Sequence, residues 1–367
     1  MKIIHCADLH LDPPMTSISD REKAAERRRE LLLTLERLLV YADENGVGAI
    51  IIAGDLFDRI DRSSMIVKRV ASMVGAYPHI RFYYASGNHD PGGAGMLAGL
   101  CPDNLRSFDG GWHTFTEAGG RICLTGAGQT AGRRLRPDAM PEPDPESFNI
   151  VILHGQISSY GPDETTELID LDSFAGKGID YLALGHIHAM RRGQVDGRGI
   201  WCYPGCLEGR GFDECGEHGF VLLDIDEASG SYSSEFIPFA SRMLYSMDVD
   251  VGGCSDTAQM LHRIGQAAEG AGCSSDSLVR VRLTGLVDIS CEKDTDYIRS
   301  SLGERFYYVK VEDETGFSLD TDMLMGDMSL RGEFVRQVMA DPSIKDEDRP
   351  MIIRYGIMAL DGTDQGW

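Results

Sequence analysis

Five apolar runs in the first 190 residues each end in carboxylate, amide or imidazole side chains, and this ordering constrains the fold more than any other feature. KIIHC is followed by ADLH with Asp8 and His10, GAIIIA by GDLFD with Asp55, and IRFYYA by GNHD with Asn88, His89 and Asp90. FNIVIL leads into His154 and YLAL into GHIH, with His186 and His188. The runs are dense in β-branched and aromatic residues and stop at glycine or polar residues, as strands do.

Between the first two runs lies DREKAAERRRELLLTLERLLVYADEN, whose Leu31, Leu32, Leu35, Leu38 and Leu39 recur at helical spacing. A second helix is predicted near 63–75. Strand, helix, strand, helix, strand implies a largely parallel sheet covered by helices. In such a sheet the carboxyl ends of the strands share one edge, where ligands bind, so the polar groups converge there. Residues two apart at a strand end point the same way, so Asp8 with His10 and His186 with His188 can each offer paired ligands. Carboxylate, amide and imidazole together suit first-row divalent ions such as manganese, iron or zinc. A single D-x-H or H-x-H is ordinary loop polarity; five such groups in order are not. His5, His79, His113, His218 and His262 lack such company and read as structural or surface residues.

The later runs RICLTGAG, FNIVILHG, IDYLALGH, GIWCYPG, HGFVLLDID and SSEFIPF suit antiparallel strands. The Pro-rich segment 128–147 separates two of them and carries Arg133, Arg134 and Arg136. After about residue 241 the pattern resets to β, α, β, α, β, which predicts a small separate domain at 241–315, followed by a helical tail at 316–367 with helices near 329–340 and 346–360. The division expected is 1–240, 241–315 and 316–367.

The nine cysteines include no C-x-x-C pair, and no run approaches the roughly 18 apolar residues of a membrane span. Together with an N-terminus that lacks a basic-then-apolar leader, this predicts a cytoplasmic protein with reduced thiols. The formal charge of −23 is the reverse of a free-standing nucleic-acid binder's. Either the substrate is not nucleic acid, or metal ions, local basic patches and a partner supply the attraction.

The series D-x-H, G-D-x-x-D, G-N-H-D, a lone histidine and G-H-x-H resembles the calcineurin-like metallophosphoesterases over about the first 220 residues. LGHIH followed by YPGCLEGRGFDECGEHGFVLLDI, with the opening IHCADLHLD, is most similar to the SbcD-type DNA repair exonucleases, particularly their YhaO-like branch. The resemblance implies a two-sheet α/β sandwich flanked by helices, a small α+β cap domain and a short helical tail. It implies two divalent metal ions, manganese first with iron or zinc as alternatives. Asp8, His10 and His188 would hold one ion and Asn88, His154 and His186 the other, with Asp55 bridging. His89 would act on the scissile phosphate or the leaving oxygen, and Asp90 would orient it. Asp12 stands where many SbcD-type proteins have glycine.

The implied function is a metal-dependent phosphodiesterase acting on DNA, a repair exonuclease, working with an SMC-like ATPase of the SbcC type and dimerising through nuclease-domain helices. Among the cationic side chains, Arg27, Arg28 and Arg29 read as a helix face pairing with Glu22, Glu26 and Glu30. Arg133, Arg134, Arg136 and Arg210 are the candidates for substrate phosphates, with Arg191 and Arg192 as further cations. The alternative is a nucleotide or small-molecule phosphodiesterase or phosphatase built on the same dimetal centre.

Overall fold

The computed structural model describes residues 1–59, 65–101, 103–129, 137–161, 167–288, 291–318 and 321–361. They form two compact units, 1–244 and 245–367.

The first unit is a sandwich of two six-stranded sheets. Its strands in chain order are β1 (Lys2–Cys6), β2 (Val47–Ala53), β3 (Arg81–Ala85), β4 (Leu105–Ser107), β5 (His113–Glu117), β6 (Ile122–Gly126) and β7 (Phe148–His154). Then come the short pair β8 (Gln156–Ile157) and β9 (Leu168–Ile169), then β10 (Tyr181–Gly185), β11 (Arg191–Gln194), β12 (Ile200–Tyr203), β13 (Gly219–Ile225) and β14 (Tyr232–Pro238). One sheet runs β14-β13-β1-β2-β3-β4 and the other β11-β12-β10-β7-β6-β5. Ile3, Ile51 and Tyr83 of the first sheet pack against Ile150, Ile152 and Ala183 of the second to make the core between them.

β1 to β4 are parallel, as the strand–helix alternation predicts. The second sheet corrects the reading of the later runs. β6, β7, β10 and β12 are parallel to one another, and the antiparallel strands are β5, β11, β13 and β14. Every residue of β7 and β10 is buried, which is the condition parallel strands need: both faces covered. Because of this, β7 and β10 deliver His154 and His186 to the same kind of edge as β1, β2 and β3 deliver Asp8, Asp55 and Asn88.

Helix α1 (Arg21–Glu44) buries Leu31, Leu32, Leu35, Leu38 and Leu39, and the Asp20 side chain caps it by accepting from the Glu22 and Lys23 N–H groups. Arg27 lies on the same buried stripe. Its guanidinium is held by Glu30, by both nitrogens on Glu208 Oε1 at 3.1 Å, and by the Gly209 carbonyl at 2.8 Å. Helices α2 (Met65–Gly75) and α3 (Gly93–Ala98) complete the unit.

The second unit contains β15 (Leu244–Asp250), α4 (Thr257–Gly270), β16 (Leu278–Thr284), β17 (Leu286–Asp288), α5 (Thr295–Gly303), β18 (Tyr308–Asp313) and β19 (Gly316–Ser318). β15, β16 and β18 form a three-stranded sheet, and α4 and α5 close its core through Met260, Ile264, Ile298 and Leu302. Helices α6 (Thr321–Gly326), α7 (Leu330–Ala340) and α8 (Arg349–Asp361) carry a small core of their own around Val335, Val338, Ile353 and Ile357. Among the described residues no helix is long and apolar enough to cross a membrane.

Candidate metal centre

Asp8, Asp55, Asn88, His186 and His188 follow the carboxyl ends of parallel strands and His154 is the last residue of one, and the chain bends sharply to bring them together. Asp8, His10, Asp55 and His186 have φ values of +54°, +42°, +50° and +105°. Positive φ in a residue with a side chain is strain that the surrounding structure must hold, and such residues gather at functional sites. Two glycines allow the crowding. A Cβ on Gly54 would lie 2.0 Å from His154 Nδ1, and one on Gly185 would lie 1.8 Å from the Ala53 carbonyl oxygen.

The side chains meet in three overlapping clusters, one of which joins His10, Asp58 and the exposed His89. In a second, Asp8, His10 and His188 bring a ligand atom each within 4.8 Å of the others, with His10 Nε2 and His188 Nε2 facing at 3.2 Å. In the third, Asp8, Asp55 and His154 do the same, and His154 Nε2 lies 2.9 Å from Asn88 Oδ1. Asp55 Oδ2 is 3.3 Å from His154 Nε2 and 3.6 Å from His10 Nε2, so one carboxylate oxygen faces both of the latter clusters. The His186 ring stands edge-on to His154 with centroids 5.5 Å apart, and its backbone N–H donates to both oxygens of Asp8 at 3.0 Å.

The hydrogen bonds behind the rings fix their tautomers. His154 Nδ1 donates to the Ala53 carbonyl at 2.9 Å, which leaves Nε2 aimed at an amide oxygen and a carboxylate oxygen, all three of them lone-pair atoms. Such a convergence requires a positive charge, from a proton or a metal ion. Burial would push the His154 pKa down, but the Asp55 and Asp8 carboxylates outweigh it and raise it to about 9. Burial likewise opposes the charge on Asp55, yet His154 and His10 hold its carboxyl well below the usual range. His10 Nε2 and His188 Nε2 face one another at hydrogen-bond distance, so two further imidazole nitrogens converge on the same place. The donor set of imidazole, carboxylate and amide therefore fits divalent first-row ions.

Behind the cluster, His188 Nδ1 meets Glu214 Oε1 at 2.7 Å, and Arg210 donates to Glu214 through Nη2 at 2.7 Å and through its backbone N–H at 2.7 Å. Glu214 is buried, and despite that burial His188 and Arg210 keep its carboxyl far below the usual range. Asp58 Oδ1 lies 3.6 Å from His10 Nδ1 and 3.4 Å from Arg210 Nη1. Asp58 closes the G-D-x-x-D group behind β2, but a role for Glu214 does not emerge from the rule of polar groups behind strands. Glu214 sits in the loop before β13, and its only sequence signal is an arginine four residues earlier.

Two expected residues, Asp90 and Arg210, sit differently from what the resemblance implies. Asp90 does not bond the His89 ring: it is fully buried, accepting from the Gly87 N–H at 2.7 Å, the Phe57 N–H at 3.1 Å and the Tyr84 hydroxyl. A carboxylate already surrounded by three donors holds the loop instead of aiming the ring. Arg210 is engaged by Glu214 and Asp58, with its side chain only 18% exposed. Asp12 has φ +64° and lies 3.8 Å from Arg28 on the surface. His89 is exposed, with its Nδ1 3.3 Å from the Asp58 carbonyl and its backbone N–H donating to Asp55 Oδ1 at 2.9 Å. Arg133, Arg134 and Arg136 lie outside the described residues. Of the histidines read as structural, His5 and His218 are buried, and His218 bridges Cys206 Sγ and the Glu214 carbonyl.

A chain with this sandwich and this donor set belongs to the calcineurin-like phosphoesterases, whose family model matches residues 1–190. It is 28% identical over 246 residues to the metallophosphoesterase YhaO of Bacillus subtilis, a match covering 63% of this chain and 59% of YhaO, so the chain spans about three fifths of that relative's length. It is 26% identical over 356 residues to the DNA double-strand break repair protein Mre11 of Methanopyrus kandleri, covering 88% of this chain and 75% of that protein. The Mre11 of Aeropyrum pernix is also 26% identical, over 271 residues, covering 68% of this chain and 64% of that one.

Proposed function

We propose that this chain is a dimetal phosphodiesterase acting on DNA, a repair exonuclease of the cytoplasm that works with an SMC-like ATPase and pairs with a second copy of itself. The observation that carries the dimetal part is Asp55 Oδ2, within 3.6 Å of one imidazole from each of the two clusters that contain Asp8. The names of two relatives, both DNA double-strand break repair proteins, support the choice of DNA.

Asp8, His10 and His188 would hold one ion and Asn88, His154 and His186 the other, with Asp55 between. Two bound cations, manganese before iron or zinc, would activate water and offset charge on the phosphate oxygens. The chain's own groups do the rest. The Ala53 carbonyl and Glu214 keep the Nε2 lone pairs of His154 and His188 turned inward. His89, exposed and anchored through Nδ1 on the Asp58 carbonyl, acts on the scissile phosphate or on the leaving oxygen. The Asp55 carboxylate holds the His89 backbone through its N–H, which ties His89 to the bridge.

The charge of −23 favours a second reading, a nucleotide or small phosphodiester as substrate. Within the first reading it favours a partner that supplies the DNA grip, and we place that partner's contact on the helical tail, at 329–360. The test is digestion of an end-labelled linear duplex by manganese-loaded protein, beside Asp55→Asn and beside bis-p-nitrophenyl phosphate. Nucleotide release that vanishes in Asp55→Asn supports the nuclease. Cleavage of the small diester with intact duplex, both alone and with the ATPase added, overturns it in favour of the second reading.

A further inference from the structure

Glu214, Arg210 and Asp58 are three charged side chains that sit against His188 and His10. They are largely buried, at 6%, 18% and 12% exposure. Arg210 spans the two carboxylates: Nη2 and Nε reach Glu214 at 2.7 and 3.2 Å, and Nη1 reaches Asp58 at 3.4 Å. Each carboxylate lies behind one imidazole, Glu214 at 2.7 Å from His188 Nδ1 and Asp58 at 3.6 Å from His10 Nδ1. These are the two rings whose Nε2 atoms face one another at 3.2 Å. In the cluster of Asp8, Asp55 and His154, His154 is oriented by a backbone carbonyl instead.

One contact makes the arrangement informative. Arg210 Nη2 is also 3.2 Å from His188 Nδ1, so that nitrogen has two suitors. If Glu214 accepts from it, Nδ1 carries the proton and Nε2 keeps its lone pair for a metal. If Arg210 donates to it, the proton must sit on Nε2, and the ring can no longer be a ligand. The shorter, charge-assisted contact to Glu214 wins.

We infer that Glu214 is a positioning residue that selects the metal-binding tautomer of His188 against Arg210, and thereby sets the affinity of one of the two metal sites. This rests on the dimetal reading above. A carboxylate behind a ligating histidine fixes ring orientation and raises basicity, and losing one typically weakens metal affinity by about 10–100-fold. In Glu214→Ala the guanidinium has no competitor at Nδ1, so the wrong tautomer is enforced. Removing the guanidinium as well should undo part of that damage.

The experiment is a manganese titration of the full chain followed by electron paramagnetic resonance, which counts free Mn(II) and distinguishes coupled pairs from single ions without any turnover. Wild type is expected to bind two ions with a coupled signal. Glu214→Ala is expected to lose about 10–100-fold in affinity at one site and to show single-ion spectra at intermediate metal. Glu214→Ala with Arg210→Met is expected to recover part of that loss, a rescue that a merely structural role does not produce. Glu214→Gln, which can still accept from Nδ1–H and keeps the shape of the side chain, is expected to fall between wild type and Glu214→Ala, and it serves in place of the alanine variant should that variant not fold. Wild-type affinity at both sites in Glu214→Ala, or a double variant no better than the single one, overturns the inference while leaving the dimetal reading intact. Wild-type protein that binds fewer than two ions overturns both.

Discussion

His89 differs from the other site histidines in being exposed, with Nδ1 on the Asp58 carbonyl, and its ring clusters with His10 and Asp58 but with neither Asp8 nor Asp55. His89→Ala should therefore retain near-normal manganese content while turnover falls by about 10²–10⁴-fold, the usual scale for a lost general acid. Metal analysis beside a rate assay checks this, and metal loss in the variant would contradict it. Asp55→Asn should lose affinity at both sites, because one oxygen faces both clusters that contain Asp8. His5 gives a pH dependence unrelated to the metal ligands. Burial drives its pKa from 6.5 to about 3, with Nδ1 on the Tyr181 hydroxyl. The unfolded chain takes up that proton below pH 6.5 and the folded chain does not, so the stability contribution is complete above pH 6.5 and is lost as pH falls. The slope is about 1.4 kcal/mol per pH unit down to the folded-state pKa. Urea unfolding at pH 7 and pH 5 should show a smaller pH-linked loss in His5→Gln than in wild type.

At the scale of elements, the buried charges under α1 carry the clearest energetic consequence. Glu208 is 2% exposed and accepts from Arg27, from the Thr34 hydroxyl at 2.9 Å and from the Ser241 N–H at 2.8 Å. Glu208→Ala leaves the buried Arg27 guanidinium with only Glu30 and the Gly209 carbonyl, and breaking a buried pair from one side costs up to about 3–5 kcal/mol. Chemical denaturation should show that loss, and a change under 1 kcal/mol would mean that water or Glu30 replaces the pair. The sequence reading took Arg27 for a solvated helix face. The spacing of Arg27, Leu31, Leu35 and Leu38 already put it on the buried stripe, but charge outweighed periodicity in that reading. The direction of β6, β7, β10 and β12 was less accessible. An apolar run looks the same in a parallel or an antiparallel neighbour, and direction is decided by where the connection travels, which no local pattern records. The short edge strands β4, β5 and β11 also escaped, being partly exposed and weakly patterned. The polar groups behind strands were legible because parallel sheets put all their functional ends on one edge. Glu214 was not, since its role comes from a loop that only the folded chain brings beside His188.

For the whole molecule, a charge of −23 sets the terms on which any nucleic acid is met. If Arg133, Arg134 and Arg136 are the phosphate contacts, the isolated chain should bind duplex DNA with a log–log salt slope of about −3, close to −0.9 per neutralised phosphate. Replacing the three with alanine should flatten it, and an unchanged slope would move the contacts elsewhere. The helical group of α6, α7 and α8 has its own small core, so truncation after 315 should leave the metal content of the first unit intact. The central proposal concerns that unit alone: seven side chains from the strand ends of both sheets would hold two ions across a shared aspartate. The most direct measurement is an anomalous difference map at the manganese edge from crystals soaked in Mn(II). Two peaks flanking Asp55, one beside Asp8, His10 and His188 and the other beside Asn88, His154 and His186, are what this account predicts. A single peak, or a pair that leaves Asp55 untouched, would contradict it.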